Sequence, residues 1–237
     1  MLSGKTAIIT GASRGIGKTI AVSLGKEKMR LALLARSTKK LQKVVDEVHT
    51  AGGEAIAVPC DLLDADAIEN SLKKIYQHFD PLDVLISNAG IFLEKPITEI
   101  TVEEWDKVLK TNLTATFILC RSALQKMMNQ KGGRIIAIAS TAGIQGYIYQ
   151  AAYCASKHGL LGFTRCLSIE AKPYNVHVHT ICPGVVRTDL VKDTYVGNRV
   201  SQGSLIEPEN IAELVLYLIR QPNNIDIPEI NLKRFEV

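Results

Sequence analysis

The chain has 237 residues, of which 46% are hydrophobic and 22% charged, and a net charge of +4. That composition suits a single globular domain over 1–237 and excludes fibrous or disordered classes. No apolar run reaches the ~18 residues that a membrane-spanning helix needs. The lysines are spread through amphipathic stretches such as Lys39-Lys40-Leu41-Gln42-Lys43, which read as a solvated face rather than a nucleic-acid surface.

Met1 to Lys5 leads directly into a strand pattern, so no signal peptide and a cytoplasmic location are expected. Five cysteines without paired or metal-type spacing predict reduced thiols and no metal site. From there, apolar strand-length runs alternate with helical patterns. Strands are predicted at 5–10, 30–35, 54–60, 82–87, 133–140, 176–182 and 227–235. Helices are predicted at 15–28, 38–51, 64–79, 101–129, 153–172 and 208–220, with Asp64 and Thr101 as N-caps. Runs such as Leu31-Ala32-Leu33-Leu34 are apolar on both faces, as strands buried between two helix layers must be. Strict alternation predicts an α/β fold: one doubly wound parallel sheet of about seven strands, with helices on both faces. A ligand crevice is then expected beyond the carboxyl ends of the strands.

The first strand runs into Thr10-Gly11-Ala12-Ser13-Arg14-Gly15-Ile16-Gly17, which opens a helix. Glycines at 11, 15 and 17 allow a tight turn, close approach of backbone to a pyrophosphate, and close packing of helix on strand. The spacing is G-x3-G-x-G, which differs from the usual dinucleotide fingerprint. Further along, Tyr153 and Lys157 are four residues apart on one helical pattern, so phenol and ammonium share a face. Lowering a tyrosine pKa from ~10 by about three pH units corresponds to ~4 kcal/mol. One unit charge ~4 Å away at an effective dielectric of ~20 supplies about that much. Lys157 is therefore expected to make Tyr153 a general acid near neutral pH, with Ser140 holding the oxygen that is protonated.

Taken together, the glycine turn, Asn88-Ala89-Gly90 after a strand, Asn112 in a helix, Ser140, the Tyr153/Lys157 pair and Pro183-Gly184 followed by Thr188 resemble the short-chain dehydrogenase/reductase family over essentially the whole chain. The overall pattern is most similar to 3-oxoacyl-acyl-carrier-protein reductases and carbonyl reductases. The resemblance implies a Rossmann-type fold and hydride exchange between a nicotinamide cofactor and a carbonyl. It implies that Asn112, Ser140, Tyr153 and Lys157 are catalytic, Asn112 holding a water behind Lys157. By the same resemblance, Lys157 would also hold the nicotinamide ribose. Gly11, Ser13, Gly15, Ile16 and Gly17 would meet the pyrophosphate, and Asp61 with Leu62 the adenine. Asp61 reads equally as a cap ahead of the next helix. Asn88, Ala89 and Gly90 would pass under the adenosine ribose. Pro183, Gly184, Val186 and Thr188 would hold the nicotinamide carboxamide.

At the end of the second strand, Ala35 stands where an acidic residue would meet a ribose 2′-hydroxyl, and Arg36 follows it. A guanidinium there suits a 2′-phosphate, so NADP(H) is the expected cofactor. Arg14 is either a second phosphate ligand or a solvated loop residue. His177 and His179 share one strand face without a third ligand, and two hydrogen-bonded histidines are expected rather than a metal site. Cys154 and Cys182 are expected to be core thiols, and Trp105, Tyr147 and Tyr149 helix packing and pocket wall.

The expected activity is reduction of a ketone to a secondary alcohol on a small or medium acyl compound, beneath a small lid around 188–206. A carrier-protein substrate is the alternative. Against it, the ending Ile227 to Phe235 lacks the glycine-rich terminus common in those reductases, and of their two basic docking positions one falls near Lys131 and the other on Tyr174. A non-catalytic NADP(H) sensor is the alternative of another class. By resemblance, pairing through 101–129 and 153–172 implies a homotetramer or homodimer, with no nucleic-acid or membrane partner.

Overall fold

The structure, a computed structural model, describes residues 1–192, 194–199 and 205–234. Seven parallel strands form one sheet in the order β3-β2-β1-β4-β5-β6-β7. These are β1 (Thr6–Thr10), β2 (Arg30–Ala35), β3 (Glu54–Pro59), β4 (Val84–Ser87), β5 (Gly133–Ile138), β6 (Val176–Pro183) and β7 (Glu229–Leu232). The helices are α1 (Gly15–Lys26), α2 (Thr38–Thr50), α3 (Ala65–His78), α4 (Val102–Leu109), α5 (Ala115–Gln130), α6 (Ala151–Ala171), α7 (Tyr195–Arg199) and α8 (Pro208–Arg220).

Successive strand residues serve opposite layers, as the pleat requires. Ile9, Leu33, Ile86 and Ile136 pack under α1, α2 and α8, through Leu24, Val44 and Val215 among others. Their neighbours Ile8, Leu34, Leu85 and Ile135 pack under α3, α5 and α6, through Leu72, Leu119 and Leu167. Each such buried aliphatic side chain stabilises the fold by about 1.5–3 kcal/mol. The strand order switches direction between β1 and β4, which opens a crevice at the carboxyl ends there.

The predicted caps form: Asp64 accepts from the Ala67 N–H at 3.0 Å, and Thr101 makes a reciprocal capping box with Glu104. Three predicted boundaries need correction. The long helix expected over 101–129 is interrupted by a π turn at Lys110–Thr114. The Asn112 side chain bonds both backbone groups of Ile91 there, and that tertiary bond overrides a helical periodicity that looks continuous. β5 stops at Ile138 rather than at 140, because the Ser140 hydroxyl accepts the Ala142 N–H at 3.1 Å and turns the chain into a short 3₁₀ segment. β7 ends at Leu232, and Phe235 lies outside the described residues.

Of the lid segment expected over 188–206, residues 193 and 200–204 lie outside the described residues. The described part contains α7, which was not expected. Its first-turn N–H groups at Tyr195 and Val196 donate to Glu94 at 2.5 and 3.2 Å, and the Tyr195 ring packs edge-on against Tyr149 at 5.5 Å. Among the described residues no helix is long and apolar enough to cross a membrane.

Candidate active site

A crevice of about 800 Å³ runs along the carboxyl ends of the strands. That size suits a small-molecule site. Every site residue expected from the sequence lines it except Gly17 and Asn112, which lie just behind its wall.

The glycine turn forms one end. Gly11 and Gly15 have φ of +65° and +52°, left-handed values that L side chains rarely adopt. A Cβ on Gly17 would meet the Gly11 carbonyl oxygen at 2.5 Å and Asn88 Nδ2 at 2.6 Å, so only glycine lets α1 approach β1 this closely. α2, α3 and α4 each start with a side-chain cap, whereas α1 has neither a side-chain cap at Arg14 nor an acidic residue in its first turn. The first-turn N–H groups of α1 therefore face an anion site that the chain itself does not fill. This cradle fits a pyrophosphate.

Thr10, to which the sequence reading assigned no role, holds the cradle to its neighbour. Its hydroxyl accepts the N–H groups of Asn88 and Ala89, both at 3.0 Å, while Asn88 Nδ2 donates to the Thr10 carbonyl at 2.9 Å. The Asn88 amide is thus a brace between β1 and β4. At the end of β2, Arg36 is exposed beside the crevice together with Lys40, a third cation one helical turn on that the sequence reading missed. Arg14 forms an ion pair with Asp189 at 3.7 Å, both side chains more than half exposed, which is worth little in stability. The Asp61 carboxylate accepts the Leu63 N–H at 3.1 Å and closes its own turn, while the helix cap proper is Asp64.

At the other end lie Ser140, Tyr153 and Lys157. Tyr153, in the first turn of α6, is only 9% exposed, lies close enough to the Ser140 side chain to feel its polar pull, and packs edge-on against Phe92 at 4.9 Å. Lys157 is 4% exposed and donates to the Ile138 carbonyl at 3.0 Å; its ammonium sits 5.7 Å from the centre of the Tyr153 ring. The expected tuning of the phenol does not hold in this site. Burial pushes the Tyr153 phenol up to about 12, against a smaller downward pull from Ser140. Burial also pushes Lys157 down to about 8. The Coulomb argument from spacing omitted desolvation of both partners, which disfavours phenolate and ammonium alike. It also assumed the ammonium beside the hydroxyl, whereas Lys157 lies over the ring.

Asn112 is 1% exposed, and its side-chain amide bonds Ile91 on both backbone groups and the Ser156 hydroxyl at 3.0 Å. A Cβ on Gly90 would sit 3.3 Å from Asn112 Oδ1 and 3.8 Å from Lys157 Nζ, so the three are packed in series. Gln150, one turn ahead of Tyr153 and 4% exposed, also lines the crevice; nothing local in the sequence signalled it.

Beyond the site, His179 donates from Nδ1 to the Ile227 carbonyl at 2.8 Å, receives Arg134 on Nε2 at 3.2 Å, and stacks on His177. Cys154 and Cys182 are buried thiols whose pKa burial raises, Cys182 to about 11. Tyr147 lines the crevice and donates to the Thr141 hydroxyl at 3.1 Å; Trp105 is partly exposed on α4.

The family pattern described as short chain dehydrogenase matches residues 5–198. A 3-oxoacyl-[acyl-carrier-protein] reductase of Aquifex aeolicus is 35% identical over 225 residues, covering 92% of this chain and 90% of that protein. A putative ketoacyl reductase of Streptomyces coelicolor is 36% identical over 234 residues, covering 91% and 90%. Among solved structures, a metagenomic short-chain oxidoreductase in complex with NADP superposes with a TM-score of 0.87 at 34% identity, covering 100% of this chain and 99% of that one. The actinorhodin polyketide ketoreductase with NADPH gives 0.90 at 34% identity, covering 97% and 96%. With its seven-stranded parallel sheet, glycine turn and Ser140–Tyr153–Lys157 group in one crevice, this chain belongs to the short-chain dehydrogenase family.

Proposed function

We propose that the chain is an NADPH-dependent reductase that converts a ketone to a secondary alcohol on a small or medium acyl compound. The observation that carries this reading is the buried Tyr153, beside Ser140 and in the same crevice as an uncapped glycine cradle. When bound, NADPH supplies the hydride. Gly11, Ser13, Gly15 and Ile16 hold its pyrophosphate; Arg36, with Lys40 and Arg14 near it, holds the 2′-phosphate. Asp61 and Leu62 border the adenine, and Asn88 to Gly90 the ribose. Pro183, Gly184, Val186 and Thr188 orient the carboxamide.

The chain's own chemistry is proton delivery. A phenol pushed up to about 12 is fully protonated at neutral pH, so Tyr153 is ready to donate to an oxygen as it becomes an alkoxide. Ser140 donates to the same oxygen and fixes its position where charge develops. Charged Lys157 stabilises the tyrosinate left after transfer and binds the nicotinamide ribose with donors beyond the one given to Ile138. Asn112 positions Gly90 and Lys157 from behind and supports a water route to solvent.

We read 1–237 as one domain, in the cytoplasm, acting as a homodimer or homotetramer; exposed Val102, Phe117 and Ile169 on α4, α5 and α6 support pairing through those helices.

The relatives named as carrier-protein reductases favour a second reading, a 3-oxoacyl-acyl-carrier-protein substrate. Against it, Lys131 and Tyr174 precede β5 and β6, at the end of the sheet away from the crevice, and Lys172 is paired with Asp226 at 2.9 Å. A panel of ketones and acyl thioesters assayed with NADPH, with the acetoacetyl group on carrier protein, on coenzyme A and as a simple ester, tests both. Turnover of the simple forms supports the first reading. A large, salt-sensitive advantage for the carrier-bound form supports the second. No turnover of any would favour a non-catalytic NADP(H)-binding role.

A further inference from the structure

Three separate loops meet over the Ser140 end of the crevice. The chain that leaves β4 runs through Phe92, which packs on Tyr153, to Glu94 and Lys95. The loop ahead of α6 brings Tyr147 and Tyr149, and the segment after β6 brings Val191 and α7. Phe92, Tyr147, Val191 and Val196 all line the crevice, so these loops together form its wall beside Tyr153.

A helix of five residues is too short to be stable by itself, so what fixes α7 lies outside it. Within its own segment, Thr194 Oγ1 donates to the Val191 carbonyl at 2.7 Å and accepts the Gly197 N–H at 3.0 Å. A Cβ on Gly197 would overlap the Val191 carbonyl oxygen, so the turn closes only with glycine there. The N–H groups of Tyr195 and Val196 find their acceptor elsewhere. They donate to the two carboxylate oxygens of Glu94, 101 and 102 residues away in sequence. The next residue grips the third loop: the Lys95 N–H donates to the Tyr149 carbonyl at 2.7 Å. Tyr149 has a φ of +63°, a left-handed value that a bulky side chain rarely adopts. In that conformation its ring meets Tyr195 edge-on at 5.5 Å, and the Arg199 guanidinium lies over the Tyr195 ring at 5.0 Å.

We propose that Glu94 is a positioning residue for the substrate: by accepting both N–H groups it docks α7 on the crevice wall and closes the site around a ketone held at Tyr153. This inference rests on the ketone-reductase reading above. An ionised acceptor makes such bonds roughly twice as strong as neutral ones. A closed wall keeps water from the developing alkoxide, and its opening lets the product leave. The cofactor contacts assigned above lie on the glycine turn, at the ends of β2 and β3, and on the first residues after β4 and β6. Glu94 therefore acts on ketone binding and leaves NADPH affinity alone.

The test compares the wild type with Glu94→Ala, which removes both acceptors, and Glu94→Gln, which keeps one carbonyl oxygen. The substrate is a simple acetoacetyl ester with NADPH. One charged hydrogen bond corresponds to roughly 10- to 150-fold. Glu94→Ala should raise KM for the ester by ~10-fold or more on that scale, with kcat level or higher and Kd for NADPH within about twofold of wild type. Glu94→Gln should fall between the two. An unchanged KM in Glu94→Ala would overturn the inference. So would a fall in kcat at constant KM, which would put Glu94 in proton delivery, or an equal rise in Kd for NADPH, which would make its effect general to the crevice. Limited trypsin digestion reads the docking itself, at Lys192 and Arg199 on either side of the bonds to Glu94. Cleavage there should be ~10-fold or more faster in Glu94→Ala than in the wild type, and equal rates would sink the proposal. If no ketone is turned over, the reductase reading fails on its own, and the digestion still decides whether Glu94 holds α7.

Discussion

Two buried cations at opposite ends of one sheet are treated differently by the fold. Arg134, near the amino end of β5, is surrounded by acceptors: His179 Nε2, the Gln221 carbonyl and the Asn223 side chain. Lys157, near the carboxyl end, has the Ile138 carbonyl as its acceptor, and burial pulls its pKa down to about 8. The amino end is braced throughout in this way. Asp83 accepts the Thr6 N–H at 2.8 Å, Arg30 donates to the Thr6 hydroxyl at 2.9 Å, and the Gln130 amide bonds both backbone groups of Leu82. At the carboxyl end, α1 starts without a side-chain cap, and the buried Tyr153 phenol and Lys157 ammonium line the crevice. One end of the sheet is built to be satisfied by the chain, the other by what binds to it.

The contrast breaks most visibly with Arg36→Asp, which should reverse cofactor preference. Loss of one charged hydrogen bond to phosphate is worth ~1.5–3 kcal/mol, or roughly 10- to 150-fold, and the new carboxylate repels phosphate while accepting from a ribose hydroxyl. Steady-state kinetics with NADPH and NADH measure it; equal efficiency with both cofactors in the wild type would remove Arg36 from the phosphate site. At the braced end, Arg134→Leu should lower stability by about 1.5–3 kcal/mol and the melting midpoint by roughly 3–12 °C. Turnover at 25 °C should be unaffected. A large fall in kcat without a fall in Tm would mean that the two ends are coupled.

A subtler effect lies in pH. The charged form of Lys157, with its pKa lowered to about 8, is present below that pH and lost above it. Tyr153, raised to about 12, keeps its proton throughout. Reductive kcat/KM should therefore be level near pH 6–7 and fall as pH rises past about 8. A profile level to pH 10 would show that the charge on Lys157 is dispensable.

Local patterns carried most of the fold. The central strands were legible because a buried parallel strand is apolar on both faces, and the glycine turn because positive φ and close backbone approach leave glycine as the residue that fits. What escaped depended on distant partners. The π turn exists because Asn112 grips Ile91, on a loop 21 residues away in sequence. Gln150 and Arg234 enter the site through the packing of α6 and β7, which no local spacing encodes. The titration of Tyr153 was misjudged because helical spacing reports which groups share a face but says nothing of how much water they lose.

The most direct test of the site is Tyr153→Phe. The substitution removes the hydroxyl alone and leaves the ring against Phe92, the Lys157–Ile138 bond and the glycine cradle in place. NADPH affinity, read by fluorescence titration, should stay within about twofold of wild type, while ketone reduction should be abolished, a general acid contributing ~10²–10⁴-fold. Retention of more than a few per cent of wild-type turnover would contradict the assignment of Tyr153 as the proton donor.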